Sequence, residues 1–366
     1  MKKVNVCLLG ASGAVGKEML KILQERKFPV NELRLLGNKT AGQKVIFNNK
    51  EYTIEKPSKD SFKDMDITLV AVGSDESKKL SPLAAKAGSV VIDNSSAFRM
   101  DKNVPLVVPE VNPEDVKLHK GIIANPNCST IIALVALAPL HKFAKIKRII
   151  ASTYQAVSGA GKEGMEELQQ QVYDYAEQKK LSIKAFKYQI LFNLIPQIDA
   201  FDSKTGYTKE ELKMTNEGRK ILHAPDLQVS CTCVRVPVLR SHSESITIET
   251  EKKLTPKKAK ELLAKAKGVK VVDNPSQFKY PMPLDTTDQD NIFVGRIRED
   301  ISAKNSLTFW CAGDQIRKGA ATNAVQIAEL VLPLLDKNSK KEEAPKKRVR
   351  KPKKAAAKKE VKKTDK

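Results

Sequence analysis

The chain has 366 residues, of which 41% are hydrophobic and 30% are charged, and its formal net charge is +22. This length predicts one large or two medium domains with a sizeable core. No apolar run approaches the roughly 18 residues of a membrane span. The chain starts with MKKVNVCLLGASG, which is basic and then apolar. Its apolar part is shorter than the roughly 7–15 apolar residues of a signal peptide. We therefore expect a cytoplasmic protein that does not bind membranes.

Half of the net charge lies at the carboxyl-terminal end. From residue 337 onward there are 15 Lys and Arg residues and four Asp and Glu residues, a net charge of +11. Segment 337–366 has too few apolar residues to offset the entropy of ordering, so we predict a disordered Lys-rich tail. Such a tail is either a solubilising extension or a weak, salt-dependent binder of polyanions such as nucleic acids.

In the first 130 residues, predicted strands alternate with predicted helices. Strands are predicted at VNVCLLG, ELRLLG, DITLVAVG and SVVIDN, with helices over 14–26 and near 76–87. This alternation is typical of an α/β fold with a Rossmann-type, doubly wound parallel sheet. After residue 146 the strands are longer and fewer helices separate them, which favours a second α+β domain on a mixed sheet. The apolar helix in GAATNAVQIAELVLPLL is long enough to pack back on the first domain.

The motif GASGAVG follows the first strand and opens the first helix. Its glycines, Gly10, Gly13 and Gly16, allow a tight turn where a phosphate can approach the N–H groups of a helix N-terminus. An ordinary structural turn is the alternative. An NAD site usually has an acid after the second strand, whereas this chain has Lys39 and Thr40 there. A cation and a hydroxyl suit the 2′-phosphate of NADP, unless this loop is only a solvated surface.

Cys128 stands between a polar tripeptide and an apolar run of helical length. A helix that begins near Ser129 would direct its N–H groups and positive dipole end at the thiol, lowering the thiol pKa and favouring a nucleophilic thiolate. The same N–H groups could hold an oxyanion. Pro126 constrains the preceding turn, and Asn127 can cap the helix. The alternative is a buried, inert cysteine.

The other four cysteines are scattered, and an odd total of five does not suggest a disulfide framework. Cys231 and Cys233 would share one face of a strand. A metal pair is conceivable there, but no second Cys or His pair accompanies it, so we predict no metal site.

A thiolate beside a nicotinamide suggests hydride exchange at a thiohemiacetal or thioester, which requires an acid or base. His242 is the best of four histidines, because Arg235 lies seven residues before it. His119 and His141 stand in Lys-rich stretches and His223 in a turn. A structural role for His242 is the alternative.

Seven motifs in order resemble those of the aspartate-semialdehyde dehydrogenases over residues 1 to about 336. They are GASGAVG, DNSSAFR, PNCST, STYQAVSGAG, MTNEGRKIL, CVRVPVLRSHSE and DQIRKGAATNAVQIAE. The resemblance implies a Rossmann domain for NADP over 1–130 with 314–336, and a catalytic and dimerisation domain over 131–313. It also implies a homodimer.

The resemblance assigns roles to individual residues. Cys128 would be the nucleophile and His242 the acid/base, while Gln155 would orient the thioester carbonyl or the intermediate. The substrate-binding residues would be Arg235 for the α-carboxylate, Glu217 for the α-ammonium, and Arg99, Lys220 and Asn127 for the phosphate. The cofactor-binding residues would be Gly10, Ala11, Ser12, Gly13, Ala14, Val15, Lys39, Thr40, Ser158, Gly159 and Asn323.

The chain departs from the family pattern in two places. Gly37, Lys39 and Thr40 stand where serine and arginine are common, and lysine lacks the arginine fork, so the preference for NADP could be relaxed. Gly218 replaces a common threonine, which should not affect the chemistry.

The implied reaction is the reversible, phosphate-dependent conversion between L-aspartate 4-semialdehyde and 4-aspartyl phosphate, in the biosynthesis of lysine, threonine and methionine. A substrate with a carboxylate, an ammonium and an acyl phosphate needs two cationic sites and one anionic site, which the assigned residues supply. Each charge could instead be solvated or part of a structural ion pair. N-acetyl-glutamyl-phosphate reductase is the alternative, but its substrate has no free ammonium for Glu217.

Overall fold

The computed structural model describes residues 3–342, with side chains as far as residue 335. The strands are β1 (Val4–Leu9), β2 (Val30–Leu36), β3 (Lys44–Phe47), β4 (Lys50–Thr53), β5 (Ile67–Val70), β6 (Val90–Asp93), β7 (Ile122–Ala124), β8 (Ile146–Gln155), β9 (Gln228–Arg235), β10 (His242–Thr250), β11 (Val269–Val271), β12 (Ile292–Glu299) and β13 (Ser306–Gly313). The α-helices are α1 (Ala14–Glu25), α2 (Ser74–Lys86), α3 (Cys128–Ala144), α4 (Gly161–Ala176), α5 (Lys209–Ile221), α6 (Pro256–Ala264), α7 (Pro283–Thr286) and α8 (Thr322–Glu342).

The first sheet is parallel throughout, in the order β2-β1-β5-β6-β7. Its strands are nearly continuous apolar runs because helices cover both faces. Residues of α1 and α8 pack on one face, and residues of α2 pack on the other. This is the doubly wound arrangement that the sequence predicts, so the carboxyl ends of the strands form one edge where a ligand can bind.

The second sheet is mixed, in the order β11-β12-β13-β10-β8-β9. One face carries a large apolar core shared with α3, α5 and α6. Helix α3 is buried around most of its circumference because it also contacts segment 104–108 of the first domain. The opposite face remains partly open, with Ile150 41% exposed and Tyr154 packed against Trp310 at a centroid distance of 5.3 Å.

Helix α8 returns to the first domain, where Ala324, Val325, Ile327 and Val331 are buried against the core of β1 and α1. A π-helical turn, Arg317–Ala321, joins it to β13. The helix continues to Glu342, so the prediction that disorder begins at residue 337 is wrong for the first six residues of the Lys-rich tail. The rest of the tail lies outside the described residues, and its disorder and polyanion binding stay predictions. Among the described helices, none has the length and apolar character needed to cross a membrane.

Candidate active site

The glycine motif forms the turn between β1 and α1. Gly10 has φ +91°, and a Cβ there would lie 2.4 Å from the Ala71 carbonyl oxygen, so only glycine fits. A Cβ on Gly16 would lie 2.2 Å from the Gly10 oxygen. Gly13 is the N-cap of α1, and no side chain caps the helix. The first N–H groups of α1 are therefore available to a phosphate, with Ala11 and Ser12 in the turn and Ala14 and Val15 opening the helix.

The loop after β2 lies beside this turn. The Ser12 hydroxyl hydrogen-bonds the Thr40 hydroxyl at 2.9 Å, and Lys39 is exposed next to it. A Cβ on Gly37 would lie 2.5 Å from Thr40 Oγ1, so a larger residue there would displace this hydroxyl. A tight, uncapped turn with an adjacent cation and hydroxyl fits a dinucleotide that carries a 2′-phosphate.

Cys128 is the first residue of α3, and Asn127 is its N-cap. Asn127 Oδ1 accepts hydrogen bonds from the N–H groups of Ser129 (3.1 Å) and Thr130 (3.3 Å). The predicted position of the thiol at a helix N-terminus is therefore confirmed. Gly319, in the π-helical turn, packs against this residue, since a Cβ there would be 3.0 Å from Cys128 Cβ.

The expected lowering of the thiol pKa is wrong in this structure. Burial raises the pKa of Cys128 to about 12, and the Glu210 carboxylate acts in the same direction. The guanidinium groups of Arg235 and Arg99 and the Ser129 N–H oppose this rise. Desolvation exceeds the combined effect of the cations and the helix end, because ionising a thiol that is shielded from water leaves the charge poorly solvated. Cys128 is consequently a thiol at neutral pH.

His242, at the start of β10, is fully buried. Burial, then the positive charge of Arg235, lowers its pKa well below the usual value, so the imidazole is neutral at pH 7. Nδ1 accepts the Ala156 N–H at 3.1 Å, which assigns the ring proton to Nε2. Nε2 has no hydrogen-bond partner among the described residues. The ring is therefore set to donate to a reacting group.

Arg235, at the end of β9, approaches His242 across Gly159. A Cβ on Gly159 would lie 2.7 Å from Arg235 Nη1 and 3.2 Å from His242 Nε2. Arg235 Nη1 donates to the Ala156 carbonyl oxygen at 2.7 Å, which holds the guanidinium in place. The two residues that the sequence pairs by spacing thus lie together in space.

Gln155 and Asn127 share a partner that the sequence analysis missed. Both amide groups donate to Glu210 Oε1, from Asn127 Nδ2 at 2.9 Å and from Gln155 Nε2 at 3.3 Å. Gln155 Nε2 also donates to Thr153 Oγ1 at 3.3 Å. No motif signals Glu210, because its role follows from the contact between α5 and the start of α3.

Arg99 and Glu217 form a buried ion pair at 3.1 Å. Glu217 Oε2 accepts the Asn127 N–H at 2.7 Å, so the pair reaches the residue that precedes the thiol. Arg99 also donates to the carbonyl oxygens of Asn125 and Asn94. The predicted cationic and anionic substrate residues are thus adjacent, and Glu217 retains lone pairs for a further donor.

Lys220 donates to three backbone carbonyl oxygens, those of Arg99, Asp101 and Val104, at 2.7–2.8 Å. These bonds use all three of its N–H donors. Contact with a phosphate would therefore require the loss of one bond, and in this structure Lys220 fixes the loop that carries Arg99.

The remaining predicted cofactor residues are largely occupied by contacts within the protein. Ser158 is buried and hydrogen-bonds the Gln315 amide. Asn323 is fully buried, and its two N–H donors bond the Val107 carbonyl oxygen and Asn125 Oδ1. Lys318 in turn donates to Asn323 Oδ1 at 2.9 Å. Asn323 therefore contributes to a closed polar network in this structure.

The other histidines have local contacts. His119 and His141 are half-buried, and each accepts a nearby backbone N–H, while His223 pairs with Asp115. The sulfur atoms of Cys231 and Cys233 are 3.7 Å apart on one buried face of β9, as the strand spacing predicts.

Comparisons with known proteins agree with this geometry. Residues 5–119 match the family model of the semialdehyde dehydrogenase NAD binding domain, and residues 137–318 match that of the dimerisation domain. Aspartate-semialdehyde dehydrogenase of Aquifex aeolicus is 54% identical over 89% of this chain and 97% of its own length. The Campylobacter jejuni enzyme is 52% identical over 92% of this chain and 99% of its own length.

A solved structure resembles this fold closely. Aspartate semialdehyde dehydrogenase II from Vibrio cholerae, in complex with ASA, is 44% identical and has a TM-score of 0.88 over 91% of this chain and 99% of its own length. A thiol at a helix N-terminus, on which two buried guanidinium groups act, accompanies these similarities. The chain therefore belongs to the aspartate-semialdehyde dehydrogenase family.

Proposed function

We propose that the chain catalyses the reversible, NADPH-dependent reduction of L-4-aspartyl phosphate to L-aspartate 4-semialdehyde and phosphate. The reaction would serve lysine, threonine and methionine biosynthesis. The observation that carries the proposal is the Cys128 thiol at the N-terminus of α3, close to two buried guanidinium groups.

The charges of the site suit this substrate. Arg235 would bind the α-carboxylate through its planar fork, and Arg99 the phosphoryl group. Glu217 would accept the α-ammonium with its remaining lone pairs. Lys220 would support the phosphate site by holding the loop of Arg99, and Asn127 would assist through its place beside the thiol. A substrate with an acetylated amine would offer Glu217 no ammonium, which disfavours N-acetyl-glutamyl-phosphate reductase.

Cys128 would form and break the covalent bond to the substrate. Its sulfur would attack the acyl carbon: a C–S bond forms, the thiol proton passes to an oxygen of the acyl phosphate, the C–O bond to phosphate breaks, and phosphate leaves with that proton. After reduction, the hydroxyl proton of the intermediate would return to His242 Nε2, the C–S bond would break and the aldehyde would leave. The released sulfur would then take up a proton from solvent. The N–H groups at the start of α3 would stabilise the negative charge on the carbonyl oxygen.

His242 would donate its Nε2 proton to that oxygen as negative charge develops. Because its Nδ1 is occupied by the Ala156 N–H, the ring is held in the donating tautomer. Gln155 would lie beside the same carbon, with its two N–H donors already bonded to Thr153 and Glu210. Its Oε1 is the end that remains for a reacting group.

The cofactor supplies hydride when it is bound. The turn of Gly10 to Val15 would hold its pyrophosphate, with Lys39 and Thr40 near the 2′-phosphate. Ser158 and Gly159 would line the nicotinamide side. Asn323 would act there by holding Asn125 and the Val107 carbonyl group in place.

We also propose a homodimer formed through the second domain, since that domain matches a family model of a dimerisation domain. Its partly open sheet face includes Ile150, and elsewhere in the same domain Tyr173, Tyr175 and Phe192 are 59–71% exposed. Exposed apolar side chains of this size favour a protein partner.

A cytoplasmic location is consistent with five cysteines that form no disulfide.

The proposal is tested by phosphate-dependent NADP reduction with L-aspartate 4-semialdehyde. Cys128→Ala should lose this activity by a factor of at least about 10³ while keeping the wild-type melting temperature. Near-normal activity of a folded Cys128→Ala variant would exclude the nucleophile, and activity with only the N-acetyl-glutamyl substrate would exclude the substrate.

A further inference from the structure

Glu210 is a buried carboxylate close to the thiol for which the motifs give no role. It lies in the first turn of α5 and is 7% exposed. Burial works to raise its pKa, but Lys213 and the amides of Asn127 and Gln155 lower the pKa below its usual value. Glu210 is therefore ionised at neutral pH, and a buried carboxylate in this state needs its partners.

The bonds of Glu210 fix two amide groups. Its Oε1 accepts Asn127 Nδ2 and Gln155 Nε2, and its Oε2 accepts Lys213 Nζ at 2.9 Å. An ionised carboxylate only accepts hydrogen bonds, so each amide must turn its NH₂ end toward Glu210. The carbonyl end of Asn127 then caps α3, and the carbonyl end of Gln155 is the end not bound to Glu210.

The same carboxylate acts on the thiol electrostatically. Three charged side chains influence Cys128: Glu210 from α5, Arg235 from β9, and Arg99 from the loop after β6. Glu210 is the negatively charged one, and after burial it is the largest cause of the raised pKa of Cys128. It opposes premature ionisation of the sulfur, while the two cations favour ionisation.

We propose that Glu210 is a positioning residue of the catalytic site, which orients the Asn127 and Gln155 amides around Cys128 and places a negative charge near its sulfur. This inference rests on the proposed function, since it concerns the same nucleophile. The alternative is that Glu210 and Lys213 form an ion pair that only stabilises the start of α5.

Glu210→Gln separates these roles because it removes the charge and keeps the shape. The rate of Cys128 alkylation by iodoacetamide at pH 8 should rise about tenfold, as the thiol ionises at a lower pH. Turnover should fall by about 10- to 100-fold, since a neutral amide no longer dictates which end of Gln155 and Asn127 faces it. If Glu210 had a purely structural role, the variant would not combine faster alkylation with slower turnover.

Two variants control the experiment. Lys213→Gln removes the cation that offsets Glu210, so alkylation should become slower than in the wild type. Glu211→Gln is equally buried in the same helical turn but bonds the Thr208 and Cys233 N–H groups. It should reduce the melting temperature without changing the pH dependence of alkylation. Mass spectrometry confirms that Cys128 is the alkylated residue.

Alkylation is measured without turnover, so the two proposals fail separately. If Cys128→Ala abolishes activity but Glu210→Gln alkylates at the wild-type rate, the positioning role is overturned and the enzymatic function stands. The same conclusion follows if Lys213→Gln and Glu210→Gln shift alkylation in the same direction. If the wild type does not reduce NADP with the semialdehyde, the proposed function fails whatever the alkylation rates.

Discussion

Gly159 packs against two residues of the proposed active site, Arg235 and His242, and a single methyl group there should disturb both. A Cβ at this position would lie 2.7 Å from Arg235 Nη1, 3.1 Å from His242 Cε1 and 3.2 Å from His242 Nε2. The first distance is shorter than real Cβ contacts, so the guanidinium of Arg235 must move. Its bond to the Ala156 carbonyl oxygen, 2.7 Å long, would be stretched or lost.

The expected loss in kcat/KM for Gly159→Ala is about 100-fold, since a displacement on the order of 1 Å at a positioned group costs about that much. This corresponds to about 2.7 kcal/mol of transition-state stabilisation. KM should rise as well as kcat fall, because Arg235 would bind the substrate in the ground state and the transition state. Phosphate-dependent NADP reduction measures both constants.

Gly218→Ala is the matched control. It lies in α5, and nothing beyond its own helix lies within 4 Å of an added Cβ. Activity should be unchanged, and the free energy of unfolding should rise by up to about 1 kcal/mol through helix propensity. A Gly159→Ala variant with kcat/KM within about threefold of the wild type would refute the reasoning, because the crowding would then have no consequence for Arg235 or His242.

Two buried ionisable groups should control stability. Burial raises the pKa of Glu244 well above its usual value, so as pH rises the unfolded chain releases this proton first and stability falls. Near pH 4.5, Glu244→Gln should therefore have the same free energy of unfolding in urea as the wild type. At pH 8 its free energy of unfolding should be higher by on the order of 1 kcal/mol, the scale of one unsatisfied buried group. Equal free energies at pH 8 would contradict this. Arg317 binds Glu18, Glu25 and Asp290 at 2.6–2.9 Å with its side chain 6% exposed. Arg317→Ala leaves these carboxylates without their cation and should cost about 3 kcal/mol, whereas a loss below 1 kcal/mol would show that the cluster is solvated.

The sequence predicts the elements whose burial follows from local pattern. The strands of the first sheet are buried on both faces and therefore read as short apolar runs. The start of α3 is likewise visible, because Asn127 is a residue that caps helices. By contrast, the β3–β4 hairpin is missed: β3 has one buried residue, Phe47, and its remaining side chains carry little periodic signal.

The contacts of the site that the sequence does not predict join distant segments. Glu210 meets Asn127 across 83 residues, and Glu217 meets the same residue across 90. On an amphipathic helix such as α5, the sequence pattern does not distinguish a solvated charged side chain from one that is buried in the active site. The sequence analysis also misses the direction in which the pKa of Cys128 is shifted. Desolvation depends on all the residues packed around the thiol, and the helix end is only one of these neighbours.

The protonated thiol and the tautomer of His242 together constrain how the nucleophile forms. Cys128 must lose a proton before it attacks, yet His242 carries its proton on Nε2 and its Nδ1 is bonded to the Ala156 N–H. The Glu210 carboxylate disfavours a thiolate that forms alone. An acyl phosphate held by Arg99 would bring its own oxygen acceptors to the sulfur, and phosphate is also the group that leaves. Ionisation of the nucleophile would then be coupled to binding of the correct substrate, and a sulfur that stays protonated at rest is less exposed to oxidation.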